Sequence, residues 1–285
     1  MEPPIAFRLG PFAVHWYGII IVTAVLVAAY VASLEAKRRG QDPDHVWNAL
    51  LLCLVLGIIG ARLYHVFSSP RGGMMGWDYY RQNPIAILQI WHGGLAIYGA
   101  VAGGILGVYI YARLNNLSFL QWTDIGTPGL ILAQVIGRWG NFINQELYGY
   151  PTNLPWGIAI TPPYRIPPYN DLTLYPATTR FHPTFLYESL WNLLGFLLLM
   201  YVARRYSDRV LDGDLFCLYA IWYPVGRIFV EALRPDAWLI GGIAAAQIFA
   251  AIAIVVSVGA ILYRHRRARS AAELPLAEEA LSEEG

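Results

Sequence analysis

Charge is scarce in this chain. Of 285 residues, only 14% are charged and 56% are hydrophobic. A soluble domain carries about 25% charged residues, so a soluble globular fold is excluded. Mean hydropathy of +0.43 agrees, and this length accommodates roughly six to eight helical spans. Cysteine is scarce too. Cys53 and Cys217 both lie in apolar runs, which reads as buried free thiols and excludes a disulfide framework. The six histidines make no HxxxH or HExxH spacing, so no metal centre is expected. The start, Met1-Glu2-Pro3-Pro4-Ile5, lacks the basic region and small-residue site of a cleaved signal, so the first apolar run is expected to be a retained span. A net charge of +1 carries no information about partners, and no nucleic-acid partner is expected.

What the chain does have is long apolar runs. They fall at about 17–34, 46–67, 92–112, 122–138, 184–202, 213–232 and 238–263. The expected fold is an all-α integral membrane protein of seven transmembrane helices. Alternate connections divide the basic residues unequally. Lys37, Arg38, Arg39, Arg113, Arg204, Arg205, Arg209 and Arg264, Arg266, Arg267, Arg269 lie on one side, eleven of the twenty. The positive-inside rule then puts the N-terminus outside and the C-terminus in the cytoplasm. The longest external connection, about 147–182, is rich in proline, so turns and short strands are expected there as a small irregular head. The catalytic domain is expected over 1–270, with 271–285 an acidic, disordered and dispensable cytoplasmic tail.

One stretch organises the rest: Gly137-Arg138-Trp139-Gly140-Asn141-Phe142-Ile143-Asn144-Gln145-Glu146. It closes the fourth span, so an arginine, amides and a carboxylate sit where an apolar segment meets water. An unpaired arginine at such a depth costs a few kcal/mol. A helix continuing through Asn144 would bring Arg138, Asn141 and Asn144 or Gln145 to one face. A guanidinium beside amide donors suits a phosphate. A structural Arg–Glu pair joining two helices is the alternative.

Other spans carry matching features. Glu188 sits inside an apolar run and needs a partner, expected to be an arginine of a neighbouring span. Tyr223, Arg227, Glu231 and Arg234, spaced four, four and three, form a polar stripe on the sixth span. Gly99, Gly103 and Gly107 make a GxxxGxxxG packing face, with Gly57 and Gly60–Ala61 suited to close packing on the second span. Arg62 reads as a snorkelling side chain. His92 and Tyr98 are the ionisable and hydroxyl groups at the outer end of the third span.

Together these residues resemble the bacterial prolipoprotein diacylglyceryl transferases over nearly the whole chain. The resemblance rests on His15-Trp16-Tyr17-Gly18, the run from Gly93 to Gly99, the run from Gly137 to Glu146, the run from His182 to Glu188, the run from Arg227 to Glu231, and Arg234-Pro235-Asp236. It implies transfer of the diacylglyceryl group of phosphatidylglycerol to the lipobox cysteine of a pre-lipoprotein, forming a thioether and releasing glycerol 1-phosphate. It also implies a multi-pass protein of the bacterial inner membrane, among membrane lipids, with the site on the external side and no cofactor. Arg138 and Arg227 match the essential arginines. Tyr17, Asn141, Glu146, Gly149, Tyr223, Glu231 and Arg234 match other functionally important positions. Some members have a histidine where this chain has Tyr98. His92 is a substitute by residue type, but six residues on a helix is about 600°, so the two point in different directions. Tyr98 and His92 therefore stand as catalytic candidates without an assigned base.

The expected roles follow from charge. Arg138 and Arg227 clamp the phosphate, Asn141 and Tyr17 orient the headgroup, and Glu146 and Glu231 fix the arginines. A secondary transporter or a lipid-binding protein for an anionic substrate would also place arginines and carboxylates in the membrane. A transporter usually carries repeated halves, which this sequence lacks.

Overall fold

The computed structural model describes residues 4–10, 12–68, 76–235, 239–240 and 243–283, with 12, 92, 239–240, 243–245 and 271–283 described by backbone alone. A hairpin of β1 (Ile5–Leu9) and β2 (Phe12–His15) leads into α1 (Trp16–Arg38) and α2 (Asp44–Phe67). The short α3 (Trp77–Gln82) and two 3₁₀ turns, Pro84–Leu88 and Ile90–His92, precede α4 (Ile97–Leu114) and α5 (Phe119–Ile143). Next comes an irregular segment with β3 (Ile158–Ala159) paired to β4 (Arg180–Phe181), then α6 (Thr184–Arg205) and α7 (Asp214–Glu231). A hairpin of β5 (Leu239–Ile240) and β6 (Ile243–Ala244) precedes α8 (Ala245–Glu283). The helical backbone of α8 runs on through its Ala-, Leu- and Glu-rich end, residue types with high helix propensity.

Among the described residues, five helical stretches are long and apolar enough to cross a membrane: Trp16–Arg38, Asp44–Phe67, Ile97–Leu114, Thr184–Arg205 and Ala246–Ser270. This is the pattern of a multi-pass membrane protein. Helices α5 and α7 stand where two further spans are expected but do not join the five. They carry the polar residues, among them Gln134, Arg138 and Asn141 on α5 and Arg227 and Glu231 on α7.

The chain groups into two compact units, 31–126 and the remainder. In unit 31–126, α2 packs on α4 through glycines. A Cβ on Gly60 would strike the Gly99 carbonyl, one on Gly99 the Gly60 carbonyl, and one on Gly103 the Leu56 carbonyl. The GxxxGxxxG stripe is thus a helix-packing face, as its spacing predicts. Arg62 does not snorkel. Buried near the C-terminal end of α2, it donates to the carbonyls of Ala86 (2.6 Å), Gly93 (2.7 Å), Ile87 (2.8 Å) and Gly94 (2.9 Å), and covers the Tyr80 ring. The Ala86 carbonyl also accepts from the Gln89 N–H at 3.2 Å, and one guanidinium satisfies the other three in this irregular stretch.

The same segment corrects the placement of His92. Gly93 and Gly94 have φ of 88° and 78°, a region that glycine enters freely and that no α-helix contains. The third helix therefore begins at Ile97, and His92 ends a 3₁₀ turn before it. His92 and Tyr98 do not share one helix, so the angular argument between them does not apply. The His92 side chain lies outside the described residues.

In the other unit, α6 and α7 are locked by an interdigitated pair. Trp191 stacks on Trp222 at 4.4 Å between centroids, and each indole N–H donates to the other's carbonyl at 3.1 Å. Their rings lie where Cβ atoms of Gly195 and Gly226 would be, so the two glycines set how closely the helices approach. Segment 144–183 forms turns and short strands, as its prolines dictate. Tyr148, Ile160, Tyr169 and Phe181 make its core. Arg165, also buried, donates to the carbonyls of Ile160, Tyr175, Pro176 and Ala177 at 2.8–3.0 Å. Burial pushes the Tyr169 phenol above its ordinary pKa.

Candidate active site

Helix α5 stops at Ile143, short of the expected continuation. Gln145, at φ 54°, turns away, while Asn144 closes the last turn with its N–H on the Gly140 carbonyl at 2.9 Å and its side chain on the same Glu146 oxygen as Asn141. Glu146 closes the turn. Its backbone N–H donates to the Asn141 carbonyl at 3.0 Å, and its Oε1 accepts from Asn141 Nδ2 at 2.8 Å and from Asn144 Nδ2 at 3.4 Å. Glu146 therefore orders amides rather than an arginine, because the helix ends before its carboxylate could reach one. Gln145 Oε1 accepts from Thr161 N–H at 2.7 Å, tying the turn to the irregular segment.

Arg138 lies one turn before Asn141 on α5, and α6 brings Glu188 to it. Glu188 is 5% exposed and bridges two arginines. Its Oε2 lies 2.5 Å from Arg138 Nη2, a charge contact without hydrogen-bond alignment. Its Oε1 accepts from Arg227 Nη1 at 2.8 Å. Arg227 Nη2 then donates to Glu231 Oε2 at 2.5 Å, one turn along α7. Arg234 Nη1 sits 3.6 Å from the same oxygen. The result is one chain of charges, Arg138–Glu188–Arg227–Glu231–Arg234, across α5, α6 and the end of α7. A lone carboxylate in α6 would be costly, and the pairing with Arg138 and Arg227 removes that cost.

Arg138 is the open end of the chain. Besides Glu188, its only hydrogen-bond partner among the described residues is the Tyr223 hydroxyl, at 3.4 Å from Nη2. Nε and Nη1 thus face no protein acceptor. The Tyr17 ring lies against Gly140, where a Cβ would meet it at 2.8 Å, and Tyr17 is within electrostatic reach of both Glu146 and Arg138. Gly149 is packed at a junction. A Cβ there would meet His182 Cβ at 2.7 Å and the Leu233 carbonyl at 2.8 Å, and its N–H donates to His182 O at 2.9 Å. It ties the head to the start of α6 and the end of α7.

The structure thus gathers Arg138, Asn141, Glu146, Tyr17, Tyr223, Arg227, Glu231 and Arg234 within one unit. Tyr98 and His92 belong to unit 31–126, where Tyr98 is half exposed beside Tyr64, 5.7 Å between ring centroids. Asp236 lies outside the described residues. Two residues escaped sequence reasoning. Gln134, one turn before Arg138, donates to the Tyr219 hydroxyl at 2.7 Å and leaves its Oε1 buried without a partner among the described residues. Asn192, one turn after Glu188, is buried with Nδ2 unpartnered among the described residues. The only signal was an amide four residues from a charge in an apolar run.

Comparison with known proteins agrees with this geometry. The family model described as prolipoprotein diacylglyceryl transferase matches residues 4–263. The phosphatidylglycerol–prolipoprotein diacylglyceryl transferase of Chloroflexus aggregans is 47% identical over 272 residues, covering 90% of this chain and 87% of its own. The relative of the same name from Lysinibacillus sphaericus is 42% identical over 269 residues, 94% of each chain. That from Streptococcus mutans is 40% identical over 266 residues, 93% of this chain and 96% of its own. A match this long, carried through every element that builds the arginine–glutamate chain, means that the protein belongs to the prolipoprotein diacylglyceryl transferase family.

Proposed function

We propose that this protein transfers the diacylglyceryl group of phosphatidylglycerol to the lipobox cysteine of a pre-lipoprotein, the first step of bacterial lipoprotein maturation. The observation that carries the reading is the shared Glu188 between Arg138 and Arg227, with Arg138 left open. Three guanidiniums and two carboxylates in that chain leave one formal positive charge, the complement of one phosphodiester. The family membership supplies the substrate class.

The chemistry is a displacement. The substrate thiolate attacks the terminal glycerol carbon that bears the phosphate oxygen. A C–S bond forms and the C–O bond breaks, its electron pair staying on oxygen. Glycerol 1-phosphate leaves with one more negative charge than the diester carried. A free thiol has a pKa of about 8.5, and nearby guanidiniums favour the thiolate, whose proton passes to solvent. Arg138 and Arg227 meet the charge that develops on the leaving phosphate, where preorganised donors accelerate most. Asn141, held by Glu146, and Tyr17 orient the headgroup. Tyr223 and Glu231 position the two arginines, and Arg234 balances Glu231. Gly149 supports the site by letting the head close onto α7. The nucleophile belongs to the substrate, so no enzymic serine or cysteine is required. Tyr98 and His92 are tested as proton-handling groups by the pH–rate profiles of Tyr98→Phe and His92→Gln.

The reading places seven spans in the bacterial inner membrane, with α5 and α7 completing the five apolar ones, the N-terminus external and the C-terminus cytoplasmic. The 147–182 head and the open arginine then face the external side, and the tail beyond 270 is dispensable. The deciding experiment incubates purified protein with phosphatidylglycerol and a lipobox peptide and follows glycerol phosphate. Release that requires both the peptide cysteine and Arg138 is expected. A folded, lipid-binding protein that releases none would leave a transporter or lipid-binding role.

A further inference from the structure

Asn192 is 1% exposed, and its side-chain amide has no hydrogen-bond partner among the described residues. Such a group carries its full desolvation penalty, so it persists where something else meets it. It lines a narrow cleft of about 10 Å³, room for one water-sized group such as a carbonyl oxygen, shared with Glu188, Trp191, Tyr223 and Arg227. The cleft therefore runs from the arginine–glutamate chain to this amide.

Register gives the direction. Asn192 follows Glu188 by four residues on α6, on the same face and about 6 Å along the axis. That displacement is away from the head, into the apolar part of the helix. Arg138 and Ser189 keep α5 in step. Ser189 Oγ donates to the Val135 carbonyl at 3.1 Å, so the segment of α5 before Arg138 lies beside the segment of α6 after Glu188. The neighbouring indoles are spent, since Trp191 and Trp222 donate to each other's carbonyls. Asn192 is the amide donor left over at this level, and the Tyr223 hydroxyl in the same cleft already accepts from Arg138.

We propose that Asn192 is a specificity-determining residue, its Nδ2 donating to an acyl ester carbonyl of the lipid whose phosphate the arginines hold. This rests on the transferase reading of the site. In a diacyl phospholipid the ester carbonyls are separated from the phosphate by the three-carbon glycerol, on the acyl side. A neutral donor in an apolar wall, one helical turn beyond the charged groups, suits a carbonyl, which has an acceptor and no charge. The headgroup hydroxyls lie on the other side of the phosphate. The protein thereby reads the ester linkage of the group it transfers.

The test compares diacyl phosphatidylglycerol with its dialkyl ether analogue, which lacks both carbonyls, in two assays on wild type and Asn192→Leu. One assay is displacement of a labelled phosphatidylglycerol from the purified protein, the other release of glycerol phosphate with a lipobox peptide. Wild type is expected to favour the diacyl lipid about tenfold in both, the size of one net hydrogen bond. Asn192→Leu is expected to lose most of that preference by weakening only the diacyl lipid. A wild type without ester preference in binding overturns the proposal and needs no variant. So does an Asn192→Leu protein that keeps the preference, as it would if the amide were satisfied by water alone. Preference in binding without turnover would sink the transferase reading and keep the subsite.

Discussion

Arg62 and Arg138 are both arginines near the end of an apolar helix, and the structure treats them in opposite ways. Arg62 is closed. Each of its nitrogens donates to a backbone carbonyl of the irregular 84–94 segment, four of these bonds at 2.6–2.9 Å. Arg165 repeats this in the head, with four carbonyls around one guanidinium. Arg138 is open. It touches one carboxylate oxygen and one distant hydroxyl, and two of its nitrogens face no acceptor among the described residues. A cation encircled by carbonyls holds a loop together. A cation paired to a carboxylate that is itself shared keeps donors for a ligand.

The largest expected effect breaks the open site. Arg138→Ala should lower transfer by about 10²–10³-fold, the scale on which lost stabilisation of developing charge is felt. Arg138→Lys should recover little of it, because a point charge cannot reproduce the planar fork. Glycerol phosphate release measures both, and a fully active lysine variant would defeat the clamp. Next comes Glu188→Ala, which leaves the half-buried Arg138 without a carboxylate and Arg227 with Glu231 alone. A loss of roughly 3–5 kcal/mol is expected, as for other buried pairs deprived of one partner, read as a lower unfolding midpoint in detergent.

Arg62→Met sharpens the contrast. It should cost roughly 2–4 kcal/mol by orphaning several carbonyls at once, while the lipid KM of the folded fraction stays unchanged. A raised KM at full stability would mean that Arg62 also serves the substrate. The smallest effect concerns the head. The Tyr169 phenol is raised by burial, so the folded state favours its neutral form. That stabilisation is fully present below the unfolded pKa of about 10 and is lost as pH rises through the higher folded value. Tyr169→Phe should flatten the fall in unfolding midpoint above pH 10.

Much of the fold could be read directly. The apolar runs at 17–34, 46–67, 184–202 and 213–232 became α1, α2, α6 and α7 with shifts of a few residues. The glycine stripe of α4 met α2 as its spacing demands. The third run misled at its start, because Gly93 and Gly94 end the helical register while hydropathy stays high. The Gly137–Glu146 motif misled at its end, because Glu146 caps α5 through Asn141 and Asn144 instead of reaching an arginine. Glu188 could be seen to need an arginine, yet not that it would take two.

By itself, then, the sequence determined that this is a helical membrane protein and which residue types gather at the helix ends. Both follow from local terms, the cost of charge in apolar surroundings and the helical period, and neither depends on which helices are neighbours. Only the tertiary structure decided which arginines are closed by carbonyls and which stay open, that Glu188 joins Arg138 to Arg227, and that the Asn192 amide has no partner among the described residues. Those outcomes depend on the register between α5, α6 and α7, set by packing such as the Trp191–Trp222 stack against Gly195 and Gly226. Register between helices is a property of shape in contact, and it has no period within any one of them.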